Sequence, residues 1–163
     1  MSSRILVAGM GNTLRGDDGF GIEVVRQMRQ LPGLPPGVSV VESGIAGVSL
    51  AQDLLDGYEM LIIVDSTSTG GAPGTIVTLE PDVPPVAGAA AHGPGGGVGD
   101  PHTTTPSRVL LLARALGALP RRVVIVGCEP LAPDGVEPGL SPPVASAVPR
   151  AVEMILELVR SEG

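Results

Sequence analysis

Asp17 and Asp18 stand side by side near the end of a glycine-rich stretch, Gly9-Met10-Gly11-Asn12-Thr13-Leu14-Arg15-Gly16-Asp17-Asp18-Gly19-Phe20-Gly21. Loops of this kind commonly hold phosphate, because free backbone N–H groups and a following helix dipole favour an anion. The dinucleotide pattern G-x-G-x-x-G fails here, since Leu14 takes the place of its third glycine. The P-loop spacing is met by Gly11 and Gly16, but Asp17 and Asp18 occupy the positions of the lysine and hydroxyl residue. Two carboxylates repel phosphate where a P-loop attracts it. The pair suits a cation instead, or simply favours the first turn of a helix.

Three further acidic or imidazole positions fit a metal. Asp65 closes the apolar run Leu61-Ile62-Ile63-Val64, where a carboxylate is costly to bury unless it is paired, hydrogen-bonded or bound to a cation. A turn cap with Ser66 and Thr67 is the plainer reading of the same residue. The two histidines, His92 and His102, lie in a long Gly/Pro-rich stretch. His102 directly precedes a helix that would fix its backbone, whereas Gly93-Pro94-Gly95-Gly96-Gly97 leaves His92 unanchored. Asp18, Asp65 and His102 together would form a mixed oxygen and nitrogen triad suited to Mn, Fe, Ni or Zn. Three protein ligands leave positions open for water or for a partner's group. Glu42 ends another apolar run. Cys128, the single cysteine, reads as a small buried thiol rather than a nucleophile. There is no G-x-S-x-G elbow and no H-E-x-x-H.

The elements that must position these groups alternate. Strands are expected over 4–8, 38–42, 60–65, 75–79 and 121–126, and helices over 19–30, 48–55, about 103–116 and 141–159. The fourth strand follows the third too closely for a helical crossover, so it reads as an antiparallel edge strand. Pro149 should kink or split the last helix. The fold class is α/β: a three-layer sandwich with a mostly parallel, twisted sheet of about five strands. In such sheets ligands gather beyond the carboxyl ends of the strands, where Asp17/Asp18, Glu42 and Asp65 would all lie.

Composition narrows the choices. The 163 residues suit one domain, 1–163, with a Gly/Pro-rich loop at about 81–101. One Phe, one Tyr and no Trp leave a core of Val, Ile, Leu and Ala and little scope for aromatic stacking. Net charge is -7 and no basic cluster exceeds Arg121-Arg122, which argues against nucleic acid. No apolar run approaches the ~20 residues of a membrane span, and the first residues lack a signal-peptide core. A cytoplasmic monomer without membrane attachment is expected.

The glycine-rich stretch resembles the G-x-G-N-x-L-x-x-D-[DE]-G-x-G motif of the hydrogenase maturation endopeptidases. Ser43-Gly44-Ile45-Ala46-Gly47, the strand-end Asp65, Ala72-Pro73-Gly74-Thr75, Pro101-His102, Val126-Gly127 with Pro130, and Gly139-Leu140-Ser141-Pro142 extend the likeness over nearly the whole chain. The resemblance implies an aspartyl-type endopeptidase with a twisted sheet flanked by helices. Its partner would be the [NiFe] hydrogenase large-subunit precursor, from which it would remove a C-terminal extension after nickel insertion. The metal-binding residues then correspond to Asp18, Asp65 and His102. The metal is nickel carried by the substrate, and other divalent metals can occupy the site. The catalytic set is Asp18, Asp17 and Glu42, with Asp17 the first candidate to activate water; Glu42 stands where the family often has Asp. A nickel-sensing or chaperone module without hydrolysis is the competing reading, and a nucleotide-binding protein the third.

Overall fold

A computed structural model describes residues 2–44, 47–84, 105–132 and 137–163. Five strands form one sheet in the order β2-β1-β3-β5-β4. They are β1 (Ile5–Met10), β2 (Val38–Gly44), β3 (Met60–Ser66), β4 (Ile76–Leu79) and β5 (Arg122–Cys128). β1 pairs in parallel with β2 and β3, and β3 with β5. β4 runs antiparallel to β5 at the sheet edge, as the short connection from β3 requires. The helices are α1 (Phe20–Arg29), α2 (Val48–Leu54), α3 (Thr105–Ala115) and α4 (Pro142–Glu162). This is the expected α/β architecture.

The three layers follow from strand alternation. Ile5, Val7, Met60, Ile62, Val64, Val124 and Val126 face one side, where α1 and α4 supply Phe20, Val24, Met28, Ala151 and Ile155. Leu6, Ala8, Met10, Leu61 and Ile63 face the other, against Leu50, Leu54, Leu110 and Ala113 of α2 and α3. Both faces of β1 and β3 are therefore covered, which explains why their sequences are apolar at nearly every position.

The carboxyl ends differ from the simplest sequence reading. β1, β2, β3 and β5 each run one or two residues further than expected. A 3-10 turn, Gly16–Gly19, precedes α1 and carries both Asp17 and Asp18. α4 is one helix from Pro142 to Glu162 with Pro149 inside it, so the expected split does not occur. Pro149 removes one N–H from the helical ladder, but Val144, Ala147, Val148, Ala151, Val152, Ile155 and Val159 form a buried stripe on both sides of it. Packing of that stripe outweighs the local cost of about 3 kcal/mol.

Gly21 sets how closely the first helix approaches the sheet. A Cβ there would collide with the Val64 carbonyl oxygen and sit 2.6 Å from that of Met10. Only glycine lets the first turn of α1 rest on the ends of β1 and β3. Gly21→Ala should lower stability by about 3 kcal/mol, read as a fall in the urea unfolding midpoint. An unchanged midpoint would show that α1 can lift without cost.

Candidate active site

The loop after β1 is shaped to deliver Asp18. Gly11 has φ 124°, and a Cβ on it would strike the Asp18 carbonyl oxygen. The Asn12 N–H donates to Asp18 Oδ2 at 2.9 Å, and the Leu14 N–H donates to Asn12 Oδ1 at 3.0 Å. These contacts turn the chain back on itself, so the second carboxylate of the pair faces the loop's interior.

Asp65 arrives from the next strand. It is paired across the sheet with Gly127, and its Oδ1 accepts from the Ser66 N–H at 2.8 Å. Burial pushes its carboxyl pKa up to about 7; the Ser66 N–H pulls the other way, and the charge of Asp18 adds to the rise. Asp18 and Asp65 are thus brought together by the two adjacent strands β1 and β3. A carboxyl that holds its proton to about pH 7 beside a second carboxylate is a place where a cation can displace that proton.

The other predicted residues have different partners. Asp17 is 2% exposed and turned away from Asp18's partners. Its Oδ2 accepts from the Leu131 N–H at 2.9 Å and from Ser141 Oγ at 2.9 Å, and its Oδ1 from the Ser141 N–H at 2.7 Å. Burial alone would raise its pKa, but the bonds from Ser141, Leu131 and Ala132 outweigh it and hold the carboxyl below the ordinary range. Glu42 sits between two arginines, accepting from Arg26 Nε at 3.0 Å and from the Arg29 guanidinium at 2.7 Å. His92 and His102 lie outside the described residues. Among the described residues no three His, Cys, Asp or Glu side chains come together as a metal site.

Cys128 is fully buried, and burial, with the charge of Asp17 adding to it, raises its thiol pKa to about 11. It is a core side chain, not an activated nucleophile. One carboxylate was missed by sequence reading. Glu129 is 7% exposed and accepts from the Thr69 N–H and Oγ1, both at 2.7 Å, and from the Gly70 N–H at 3.2 Å. Those bonds hold its pKa low and pin the loop that leaves Asp65. Its partners are distant in sequence, and only its place just after a buried strand hinted at a role.

A mostly parallel α/β sheet with two carboxylates beyond the carboxyl ends of its central strands is the architecture expected from the sequence. The chain belongs to the hydrogenase maturation protease (HycI) family, whose model matches residues 22–158. It is 30% identical over 162 residues to the hydrogenase 2 maturation protease of Escherichia coli, covering 98% of this chain and 93% of that one. The hydrogenase expression/formation protein HupD of Rhizobium leguminosarum is 33% identical over 161 residues, covering 98% and 76%. Among solved structures, the E. coli hydrogenase maturating endopeptidase HybD superposes with a TM-score of 0.77 at 32% identity, over 98% of this chain and 94% of that one. The chain is therefore a peptidase of hydrogenase maturation.

Two stability measurements check the opposite environments of the carboxylates. For Asp65 the raised pKa means that the unfolded chain loses its proton first, near 3.8, so wild-type stability falls as pH rises from there to about 7. Asp65→Asn removes that penalty. Its melting temperature should gain on wild type progressively between those pH values and hold the gain above; a constant difference would place Asp65 in a solvated setting. Asp17 has the reverse sign. Asp17→Asn should cost about 1.5–3 kcal/mol at neutral pH, with the deficit closing as pH falls below 3.8. Loss of turnover with unchanged stability would instead assign Asp17 a part in water activation.

Proposed function

We propose that this peptidase removes the C-terminal extension of the [NiFe] hydrogenase large-subunit precursor after nickel insertion, and that nickel on the precursor is its recognition element. The observation that carries this reading is the Asp18 and Asp65 pair beyond the carboxyl ends of β1 and β3, where burial, with the charge of Asp18 adding to it, raises the Asp65 carboxyl pKa to about 7. A nickel ion presented by the precursor would displace that proton and bind both carboxylates, with His102 as the third ligand. Coordination of this kind would place the adjacent peptide bond in a fixed pose, a contribution worth several kcal/mol of barrier.

Water attack then needs a base or a metal-lowered pKa. Asp17 is a poorer base than its position in sequence suggested, because its lone pairs are already engaged by Leu131 and Ser141. Glu42 is neutralised by Arg26 and Arg29. Asp18 and Asp65 carry fewer hydrogen-bond partners and remain the favoured carboxylates for the reacting centre.

The test is intact-mass analysis of a cognate precursor, with and without nickel, after incubation with wild type and with Asp18→Asn. Loss of one defined C-terminal fragment only with nickel and only with wild type is expected. Cleavage of nickel-free precursor would keep the protease and remove the recognition step. Tight binding of a competent precursor without cleavage would favour the nickel-chaperone reading.

A further inference from the structure

A groove runs along the outer side of α1, beginning at the loop that precedes Asp18. It begins as a depression of about 390 Å³ over Gly11, Asn12 and Thr13, the loop whose Asn12 N–H binds Asp18. Thr13 also lines the next cavity, of about 340 Å³, together with Gly16, Gly19 and Glu23 on one wall and Leu140 and Ala145 on the other. Glu23, Leu140 and Ala145 in turn border a third, again about 340 Å³, which continues between α1 and α4 past Gln27 and Pro149. The three share lining residues, so they form a strip and not a cup. A strip fits a linear polymer better than a compact small molecule.

The walls suit a peptide backbone. Gly16, Gly19 and Gly139 offer main chain without side chains in the way. Gln27 has a side-chain oxygen buried without a hydrogen-bond partner. Pro149 has no N–H, so the Ala145 carbonyl lacks its helical donor. The Gln27 oxygen is a buried acceptor beside the groove and costly to leave unmet, and the Ala145 carbonyl is a second acceptor bordering it. The N–H groups of an extended chain would supply what they lack. The Asp17 carboxylate ties the two walls together, since it sits between Gly16 and Gly19 on one side and binds Ser141, next to Leu140, on the other.

We infer that this α1/α4 groove seats the C-terminal extension of the precursor, holding it as an extended strand that leads to the bond beside Asp18. The inference rests on the processing reading above and adds to it the surface that reads the tail.

Ala145 is exposed and lines both inner cavities, whereas its exposed neighbour Ser146 lines none of the three. Arginine is well tolerated on an exposed helix. Ala145→Arg should therefore fold as wild type yet raise KM for nickel-loaded precursor by about tenfold or more, with kcat less affected, while Ser146→Arg should cleave normally. A photo-crosslinking residue at position 145 should capture the precursor, and peptide mapping should place the link in the extension.

Equal cleavage by the Ala145 and Ser146 variants would overturn the groove assignment and leave the processing reading intact. So would a link to the mature part of the precursor or to a second copy of the protease. Failure of wild type to shorten a competent nickel-loaded precursor would sink the processing reading, and the groove assignment with it.

Discussion

The buried Asp17 carboxylate is the constraint around which the active end of the molecule is assembled. A charge removed from water must find hydrogen bonds, or its burial costs more than the fold can supply. Asp17 finds them in Leu131, after β5, and in Ser141, at the start of α4. One side chain therefore fixes the 3-10 turn against both the last strand's exit and the last helix's entry. Glu129 repeats the device a few residues away, holding Thr69 and Gly70 after β3. These two are the buried charged side chains among the described residues, and each ties together loops that have no regular structure of their own.

With the frame held by those two, Asp18 and Asp65 can be left more sparsely bonded. Asp17 and Asp18 are adjacent in sequence and share one short turn, so they must point in different directions. Asp17 takes the bonds that a structural charge needs. Asp18 keeps one backbone donor and faces Asp65, whose burial and nearby negative charge favour the protonated form. Neighbouring residues thus play opposite parts: hydrogen bonds hold the Asp17 carboxyl low, and the charge of Asp18 adds to the rise at Asp65. That division is how a small domain can keep two facing carboxyl groups at one end and still fold.

Much of this was legible in the sequence, for reasons that differ by element. The all-apolar β1 and β3 announced strands covered on both faces, and the short step from β3 to β4 announced the antiparallel edge. Asp18 and Asp65 were legible as strand-end carboxylates because that placement follows from topology alone. Asp17 was legible in place but not in environment. Its type and position fitted a base, but whether a carboxylate is free or engaged depends on partners more than a hundred residues away, Leu131 and Ser141. Glu42 was ambiguous for the same reason, since Arg26 and Arg29 reach it only once α1 lies beside β2. At Pro149 local rules allowed a split that does not occur, because the buried stripe of α4 holds the helix together on both sides of it.

The same proline connects fold to function. A helix interior is an expensive place to give up an N–H, and α4 could have carried alanine at that position with a gain in local stability. The carbonyl released by Pro149 belongs to Ala145, which borders the groove beside the 3-10 turn. Gln27, across from it on α1, adds an acceptor that is buried without a partner. A buried acceptor left unmet destabilises the free protein slightly and rewards whatever supplies donors. An extended peptide supplies them at regular intervals, and a metal ion does not. On the processing proposal the two recognition tasks are then separate in space and in chemistry: anionic oxygens at the strand ends read a cation, and neutral acceptors along α1 and α4 read a backbone. A substrate must satisfy both at once, so a precursor that has its tail but lacks its metal would engage only half of the surface.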